Sequence, residues 1–402
     1  MKSILLSAFA CDPYKGSEPS FGWNWSTGLV REGYEVHCLT RLYHKEGINK
    51  HNRIENLHFH YISLPFGLER LYTLSNASLY LYYLIWQWLA YLKGKKLQKI
   101  HHFERAHHVS WGSIQQGSFL YKLKIPFIFG PAGGGQIAPE KFKKYFRQYW
   151  AVEEKRQRVS SILERFNPAC KHMLRTATAV IVSNRDTYQL AKKAGARNIL
   201  LTPDAALPVS FFPKSFIIRQ PLPGKLKLLW VGRILPRKGL LLVLDVMKML
   251  KAYTDITLTI VGDGEMRKAA DDKYHEYGLQ NTVTFVGAVP YQQVREYYSS
   301  HDIFFFTSLR DSGPLQLMEA MAFGLPVITL DLHGQGQIIS DKTGVKVPMG
   351  APKDVINALA KAIIDLTTAP VHYHAMSRAA YSFALNQVWE KKIKEVINKF
   401  YK

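Results

Sequence analysis

Cysteine is scarce in this chain: the three in 402 residues, Cys11, Cys38 and Cys170, lie far apart, and no Cys-x-x-Cys pair occurs. That argues against a disulfide framework or a zinc knuckle and fits a reducing cytoplasm. Acidic residues are also few, 31 Asp and Glu against 53 Lys and Arg, which leaves a formal charge of +22. So large an excess implies an anionic partner, whether nucleic acid, a phospholipid surface or a phosphorylated substrate. Glycine motifs that hold nucleotides are missing: no Gly-x-Gly-x-x-Gly follows an apolar run, GDGEMR from Gly262 lacks the third glycine, and no Gly-x4-Gly-Lys-Ser/Thr occurs. A nicotinamide enzyme and a P-loop ATPase are therefore disfavoured. What is present is an ordinary globular composition, 47% hydrophobic and 21% charged, which excludes wholesale disorder, collagen and coiled coil. The length predicts about two or three domains.

The N-terminus carries Lys2, an apolar run to Ala10 and then Cys11, an outline shared with lipoprotein signals. A single charge and so short a run favour the first strand of a domain instead. Beyond it, short apolar runs alternate with helix-length amphipathic stretches, the pattern of βαβ units around a parallel sheet. The first half offers strands at 4–10, 35–40, 57–62, 106–109, 126–129 and 179–183; the second offers 226–231, 257–261, 283–286, 303–306, 326–329 and 344–347. Prolines 203, 208, 213, 221 and 223 separate the halves. The expected architecture is α/β: a Rossmann-like domain over 1–205, a linker over 206–224, a second such domain over 225–385, and a C-terminal helix over 386–402 able to pack back on the first domain. Both domains are expected to be doubly wound and to face a central cleft, with ligands beyond the carboxyl ends of the strands.

Charge divides unevenly, with a net +15 on residues 1–205 and +7 on 206–402, which points the anionic partner to the first domain. There, EKFKKYFRQYW from Glu140 interleaves Phe142, Tyr145, Phe146, Tyr149 and Trp150 with Lys143, Lys144 and Arg147. Such a helix suits an anionic membrane surface, or equally a solvated helix whose aromatics pack inward. Leu71 to Leu92 carries no charge, yet its Ser75, Asn76, Ser78 and Gln87, with five tyrosines, favour a buried or interface-lying helix over a membrane span.

Two post-strand loops of the second half concentrate chemistry. GRILPRKG after Val231 places Arg233 and Lys238 around a turn before a helix, where cations and helix-start amides suit a diphosphate. TSLRDSGPLQLMEAMAFGLPVI after Phe306 spaces Asp311 and Glu319 eight apart, with Ser312, Gly313 and Pro314 between the first acid and the helix. The glycine turn would aim backbone N–H groups at a phosphate, and Glu319 could accept hydrogen bonds from a ribose. Taken singly, Asp311 also reads as a helix N-terminal acid and Glu319 as a buried acid paired with a cation.

Together these segments resemble the retaining GT-B glycosyltransferases of family 4. Asp311-x7-Glu319 resembles that family's Glu-x7-Glu motif, GRILPRKG its Arg/Lys diphosphate loop, and VGDGEMRK from Val261 its strand-to-helix turn. ACDPYKGSEPSFGWNW from Ala10, AHHVSWGS from Ala106 and FGPAGGG from Phe129 resemble its N-terminal crevice loops. The resemblance implies that Arg233 and Lys238 neutralise the donor diphosphate, that Ser312, Gly313 and Leu315 border it, with Gly313 and Leu315 offering amides, and that Glu319 holds the ribose. Asp311 would bind hydroxyls of the transferred sugar, although it is one methylene shorter than Glu, and Pro314 cannot donate. Gly16 would let the N-terminal backbone approach the diphosphate as the cleft closes. His107, or its neighbour His108, would be the active-site histidine.

It implies further a retaining, metal-independent transfer from a nucleotide-sugar to a glycan acceptor, with no cofactor. The absence of any Asp-x-Asp pair agrees with metal independence. The acceptor is expected to be lipid-diphosphate-linked, in cell-surface polysaccharide biosynthesis, and the protein peripheral on the cytoplasmic face of an anionic membrane. A same-fold epimerase or phosphorylase is the alternative. A nucleic-acid-binding protein is less well supported, since the basic residues form no recognised nucleic-acid motif.

Overall fold

A computed structural model describes residues 1–16, 18–221 and 224–401, so Leu222 and Pro223 of the expected linker lie outside the described residues. Two compact units emerge. One comprises Met1–Gly135, Val159–Ala205 and Trp389–Lys402, the other Gln136–Arg158 and Ala206–Val388. The first therefore gives up residues 136–158 from the expected 1–205 domain, and it takes in the C-terminal segment.

The first unit is built on β1 (Lys2–Ala8), β2 (Tyr34–Arg41), β3 (Leu57–Ile62), β4 (Phe103–Ser110), β5 (Phe127–Ala132), β6 (Ala179–Val182) and β7 (Ile199–Leu201), in the order β3-β2-β1-β4-β5-β6-β7. The second is built on β8 (Leu226–Val231), β9 (Ile256–Val261), β10 (Val283–Gly287), β11 (Ile303–Phe306), β12 (Val327–Leu330) and β13 (Gly344–Val347), in the order β10-β9-β8-β11-β12-β13. Every pairing is parallel, so each strand is reached by a crossover, and helices cover both faces. This is why the strands are near-continuous apolar runs: all four residues of β11 and of β12 are buried. All twelve expected strands occur. The unexpected one, β7, is a half-buried edge strand of three residues, too short for a periodic signal. Strand order reverses between β1 and β4 in the first unit and between β8 and β11 in the second, so the loops after those strands splay apart into a binding crevice.

The basic aromatic segment does not face lipid. Phe142, Tyr145, Phe146 and Trp150 are buried in the second unit's core with Leu226, Trp230 and Leu240 to Leu244. Tyr145 also donates its hydroxyl to Asp245 Oδ2 at 2.8 Å. Burial of such side chains stabilises by about 1.5–3 kcal/mol each, which decides between the two expectations for this stretch in favour of inward packing.

Residues 71–92 form a short helix, Leu71–Leu74, then a break at Ser75, which caps the long helix Asn76–Leu97 through a reciprocal bond with Ser78. Tyr82, Tyr83, Trp86 and Ala90 are fully buried on one face of the long helix, whereas Leu81, Leu84, Trp88 and Leu92 are exposed on the other. Among the described residues, no helix is long and apolar enough to cross a membrane. The C-terminal helix Trp389–Phe400 packs on the helix Glu18–Arg31 of the first unit. A Cβ at Gly28 would lie 2.1 Å from Ile393 Cδ1, so a larger residue there would require the Ile393 side chain to shift.

Candidate active site

In the second unit, the loops after β8 and β11 are held backbone to backbone. The turn Pro236–Lys238 ends at Gly239, where φ is +70° and an added Cβ would lie 2.1 Å from Thr307 O. Leu309 N and Ser308 Oγ both donate to Arg237 O, at 2.8 and 3.0 Å. Gln335 Nε2 reaches back from the loop after β12 to Ser308 O at 2.8 Å.

This clamp brings Lys238 and Asp311 into direct contact through Nζ and Oδ2, and Arg237 Nη1 joins the same oxygen at 3.1 Å. The other carboxylate oxygen accepts from Ser312 N at 3.1 Å. Lys238 is buried, which lowers its pKa, while Asp311 opposes that loss. Burial alone would raise the Asp311 carboxyl, but Lys238 and then Arg237 outweigh it and hold it below its ordinary range. A second carboxylate extends the network. Glu153, on the helix Trp150–Phe166, contacts Arg310 Nε at 2.8 Å and Arg156 Nη2 at 2.7 Å. Thus Arg156, Arg237, Lys238 and Arg310 share only two acids, and Arg233 stands exposed beside them. Sequence reasoning missed Arg237 and Arg310, although each lies inside a motif it had singled out.

Glu319 is buried about one turn into the helix Leu315–Ala322, and its partners are phenols rather than a cation. Its Oε1 accepts from Tyr291 at 2.7 Å and its Oε2 from Tyr298 at 2.9 Å. Burial raises its carboxyl pKa, and the two hydroxyls counter that by bonding to the charged form. Tyr298 is fully buried, whereas Tyr291 is 52% exposed and stacks on Phe211 at 5.9 Å. Oε1 is therefore the oxygen whose partner can change. Ser312 and Gly313 are pinned by Gly334, where a Cβ would lie 1.8 Å from Ser312 O. Among the described residues, the backbone N–H groups of Gly313 and Leu315 take no hydrogen-bond partner.

In the first unit both candidate histidines are buried. His107 is fully buried beneath Trp25, with Nδ1 2.7 Å from Tyr401 Oη and Nε2 2.7 Å from Gly130 O. A carbonyl only accepts, so Nε2 carries the proton and Nδ1 accepts from the tyrosine. Burial pushes its pKa to about 3, which leaves a neutral core residue with both nitrogens engaged. His108 is equally buried, between Ser7 Oγ at 3.0 Å and Tyr83 Oη at 3.2 Å. Gly16 is exposed, and an added Cβ would meet nothing within 4 Å.

An acid with a raised pKa lies two residues beyond it. The Glu18 carboxyl is pushed up to about 7, first by burial and then by Asp204, with Arg41 opposing. Perturbed acids of this kind concentrate at functional sites. The sequence signal was its place just after Gly16, at the start of the helix that follows the β1 loop.

Residues 214–383 match the family described as Glycosyl transferases group 1, and this stretch contains Arg233, Lys238, Asp311 and Glu319, the residues expected from the sequence to hold the donor. Relatives with such sequences include a phosphatidylinositol N-acetylglucosaminyltransferase polypeptide from Arabidopsis thaliana, 25% identical over 51% of this chain and 46% of that protein. The amylovoran biosynthesis glycosyltransferase AmsK of Erwinia amylovora is 29% identical over 37% of this chain and 38% of its own. The matches thus span less than half the length of these curated relatives. Among solved structures, sucrose-phosphate synthase from Thermosynechococcus elongatus superposes over 100% of this chain and 98% of its own, with a TM-score of 0.68 at 20% identity. HepE of Anabaena, solved with UDP, covers 99% of this chain and 100% of its own, with a TM-score of 0.63 at 15% identity. These likenesses establish the fold, the two Rossmann-like domains of GT-B glycosyltransferases.

Proposed function

We propose that the chain is a retaining glycosyltransferase that moves a sugar from a nucleotide-diphosphate donor to a glycan acceptor. The observation that carries this is the buried Lys238–Asp311 contact, joined by Arg237, across the two loops that flank the second unit's strand-order reversal. A diphosphate competes for Lys238 and Arg237 with more charge than one carboxylate offers, and Arg233 adds an unengaged cation. As the cations turn to the diphosphate, Asp311 is released toward the sugar hydroxyls. The N–H groups of Gly313 and Leu315 supply further donors, and Glu319 Oε1 exchanges the Tyr291 hydroxyl for the ribose. In the transfer, the bond from the anomeric carbon to the diphosphate oxygen breaks and a bond to the acceptor oxygen forms on the same face. The departing phosphate oxygen takes the acceptor proton. The cation cluster stabilises the charge developing on the leaving diphosphate, which makes a divalent metal unnecessary there.

The acceptor is proposed to be a lipid-diphosphate-linked saccharide at a cytoplasmic, anionic membrane face. The support comes from the exposed apolar side of the helix Asn76–Leu97, whose Leu81, Leu84, Trp88 and Leu92 run into exposed Lys93, Lys95, Lys96 and Lys99. Apolar insertion beside cations suits an anionic bilayer, and a second copy of a chain charged +22 would be repelled. Flotation with anionic vesicles tests this. Leu81→Glu/Trp88→Glu should abolish flotation, and Lys143→Glu/Lys144→Glu/Arg147→Glu should leave it intact; equal behaviour of both variants contradicts the surface. Product analysis tests the reaction itself. Turnover only with acceptor present, surviving chelator, with the anomeric configuration kept, is the expected result; donor isomerised without acceptor would mean an epimerase.

A further inference from the structure

A second chemical cluster lies in the first unit, in the early halves of β2 and β3, and no step of the transfer uses it. Two strand dipeptide repeats meet there, Glu35-x-His37 on β2 and His58-x-His60 on β3, each projecting two side chains to one face. The parallel register pairs His37 with His58 and Leu39 with His60, so the acid and the three imidazoles converge. Glu35 Oε1 lies 3.2 Å from His58 Nε2 and 3.7 Å from His37 Nε2. His101 packs its ring 4.1 Å from that of His37.

We propose that Glu35 Oε1, His37 Nε2 and His58 Nε2 form a binding site for a divalent transition metal of the zinc class. A tetrahedral ion with bonds of about 2.0–2.2 Å needs ligand atoms roughly 3.3–3.5 Å apart, which the two measured separations bracket. The His37 side chain is only 3% exposed, and its Nε2 is buried without a hydrogen-bond partner. A buried lone pair left unsatisfied is costly, and a metal would satisfy it. The other ring nitrogen supports this assignment: His37 Nδ1 lies 3.0 Å from His60 Nε2, and with the proton on Nδ1 this outer contact leaves the Nε2 lone pair aimed at the site.

The donor set is two nitrogens and one oxygen. It suits Zn2+, Co2+, Ni2+ or Cu2+ and not Ca2+ or Mg2+, which require oxygen ligands. Glu35 and His58 are 32% and 40% exposed at their side chains, which gives an entry path and leaves a fourth position to solvent. Ligands of doubly wound sheets bind beyond the opposite, carboxyl ends of strands, so this ion has a structural role, tying edge strand β3 to β2.

The test is titration of chelator-treated, full-length protein with Co2+ and with Zn2+. The expected result is one ion per chain, a tetrahedral Co2+ visible spectrum, proton release and a raised melting temperature. Glu35→Gln and His58→Ala, both at partly exposed positions, should each weaken binding roughly tenfold or more while the metal-free melting temperature stays near wild type. His372→Ala, at an exposed histidine elsewhere, should change nothing. No saturable binding, or equal affinity in wild type, Glu35→Gln and His58→Ala, would overturn the assignment. Should His58→Ala fail to fold, His58→Gln together with Glu35→Gln decides the matter.

Discussion

The two units present the same topological feature, a reversal of strand order, with opposite electrostatics. In the second unit the loops after β8 and β11 carry buried and half-buried cations in excess of their acids, with Lys238 and Arg237 on Asp311, and Arg310 and Arg156 on Glu153. In the first unit the corresponding loops are stitched to each other by neutral bonds, with one ion pair, Asp12 to Lys15 at 3.5 Å, inside the loop after β1. Ser110 Oγ accepts from Ala10 N at 3.2 Å and donates to Ala10 O at 2.9 Å, and the strand histidines beside them are uncharged. Glu18, at the start of the helix after β1, is an acid raised to about 7. Net charge would have ranked the halves the other way, +15 against +7. Surface lysines make the larger number, but solvent screens them, whereas the few cations held out of water in the second unit act at full strength.

Breaking the charged side should give the largest effect. Lys238→Ala leaves Asp311 to Arg237 alone and removes a buried diphosphate partner. Donor affinity is expected to fall by about a hundredfold or more, and unfolding free energy by up to about 3–5 kcal/mol, read by calorimetry and denaturant titration. Next comes Glu319→Ala, which orphans the Tyr291 and Tyr298 hydroxyls at about 1–3 kcal/mol each and removes the ribose acceptor. Tyr291→Phe sharpens this, since it frees Oε1 and should leave nucleotide affinity equal or tighter.

On the neutral side, His107→Ala should destabilise by about 2–4 kcal/mol, because a cavity opens and the Tyr401 hydroxyl loses its partner. It should spare kcat of the folded fraction; a catalytic histidine would show the reverse. The smallest effect is at Glu18. Between its ordinary pKa near 4.5 and its folded value of about 7, the unfolded chain releases the proton and the native chain keeps it. Stability therefore falls as pH rises through that window, and the deficit is complete above it. Glu18→Gln should stabilise by roughly 1–3 kcal/mol at pH 8 and give no gain at pH 4.

The strands were legible because parallel strands buried on both faces are uninterrupted apolar runs, and the donor loops because their cations and glycines sit directly after such runs. The same geometry makes the histidine pair harder to read. Alternation along a strand suggests one inward and one outward residue, yet with both faces of β4 covered by helices, His107 and His108 are both core. The aromatic spacing of Phe142, Tyr145, Phe146 and Trp150 correctly implies a buried face without saying against which unit it packs. Arg310 and Glu153 meet across a separation in sequence that no local pattern encodes, as do Glu35 and His58.

The most direct measurement is calorimetric titration of a panel of nucleoside diphosphates and nucleotide-sugars into wild type, Lys238→Ala and Glu319→Ala. Saturable binding by wild type, sharply weakened in both variants, is the predicted result. Undiminished binding in both variants would show that the charged loops after β8 and β11 are not the donor site.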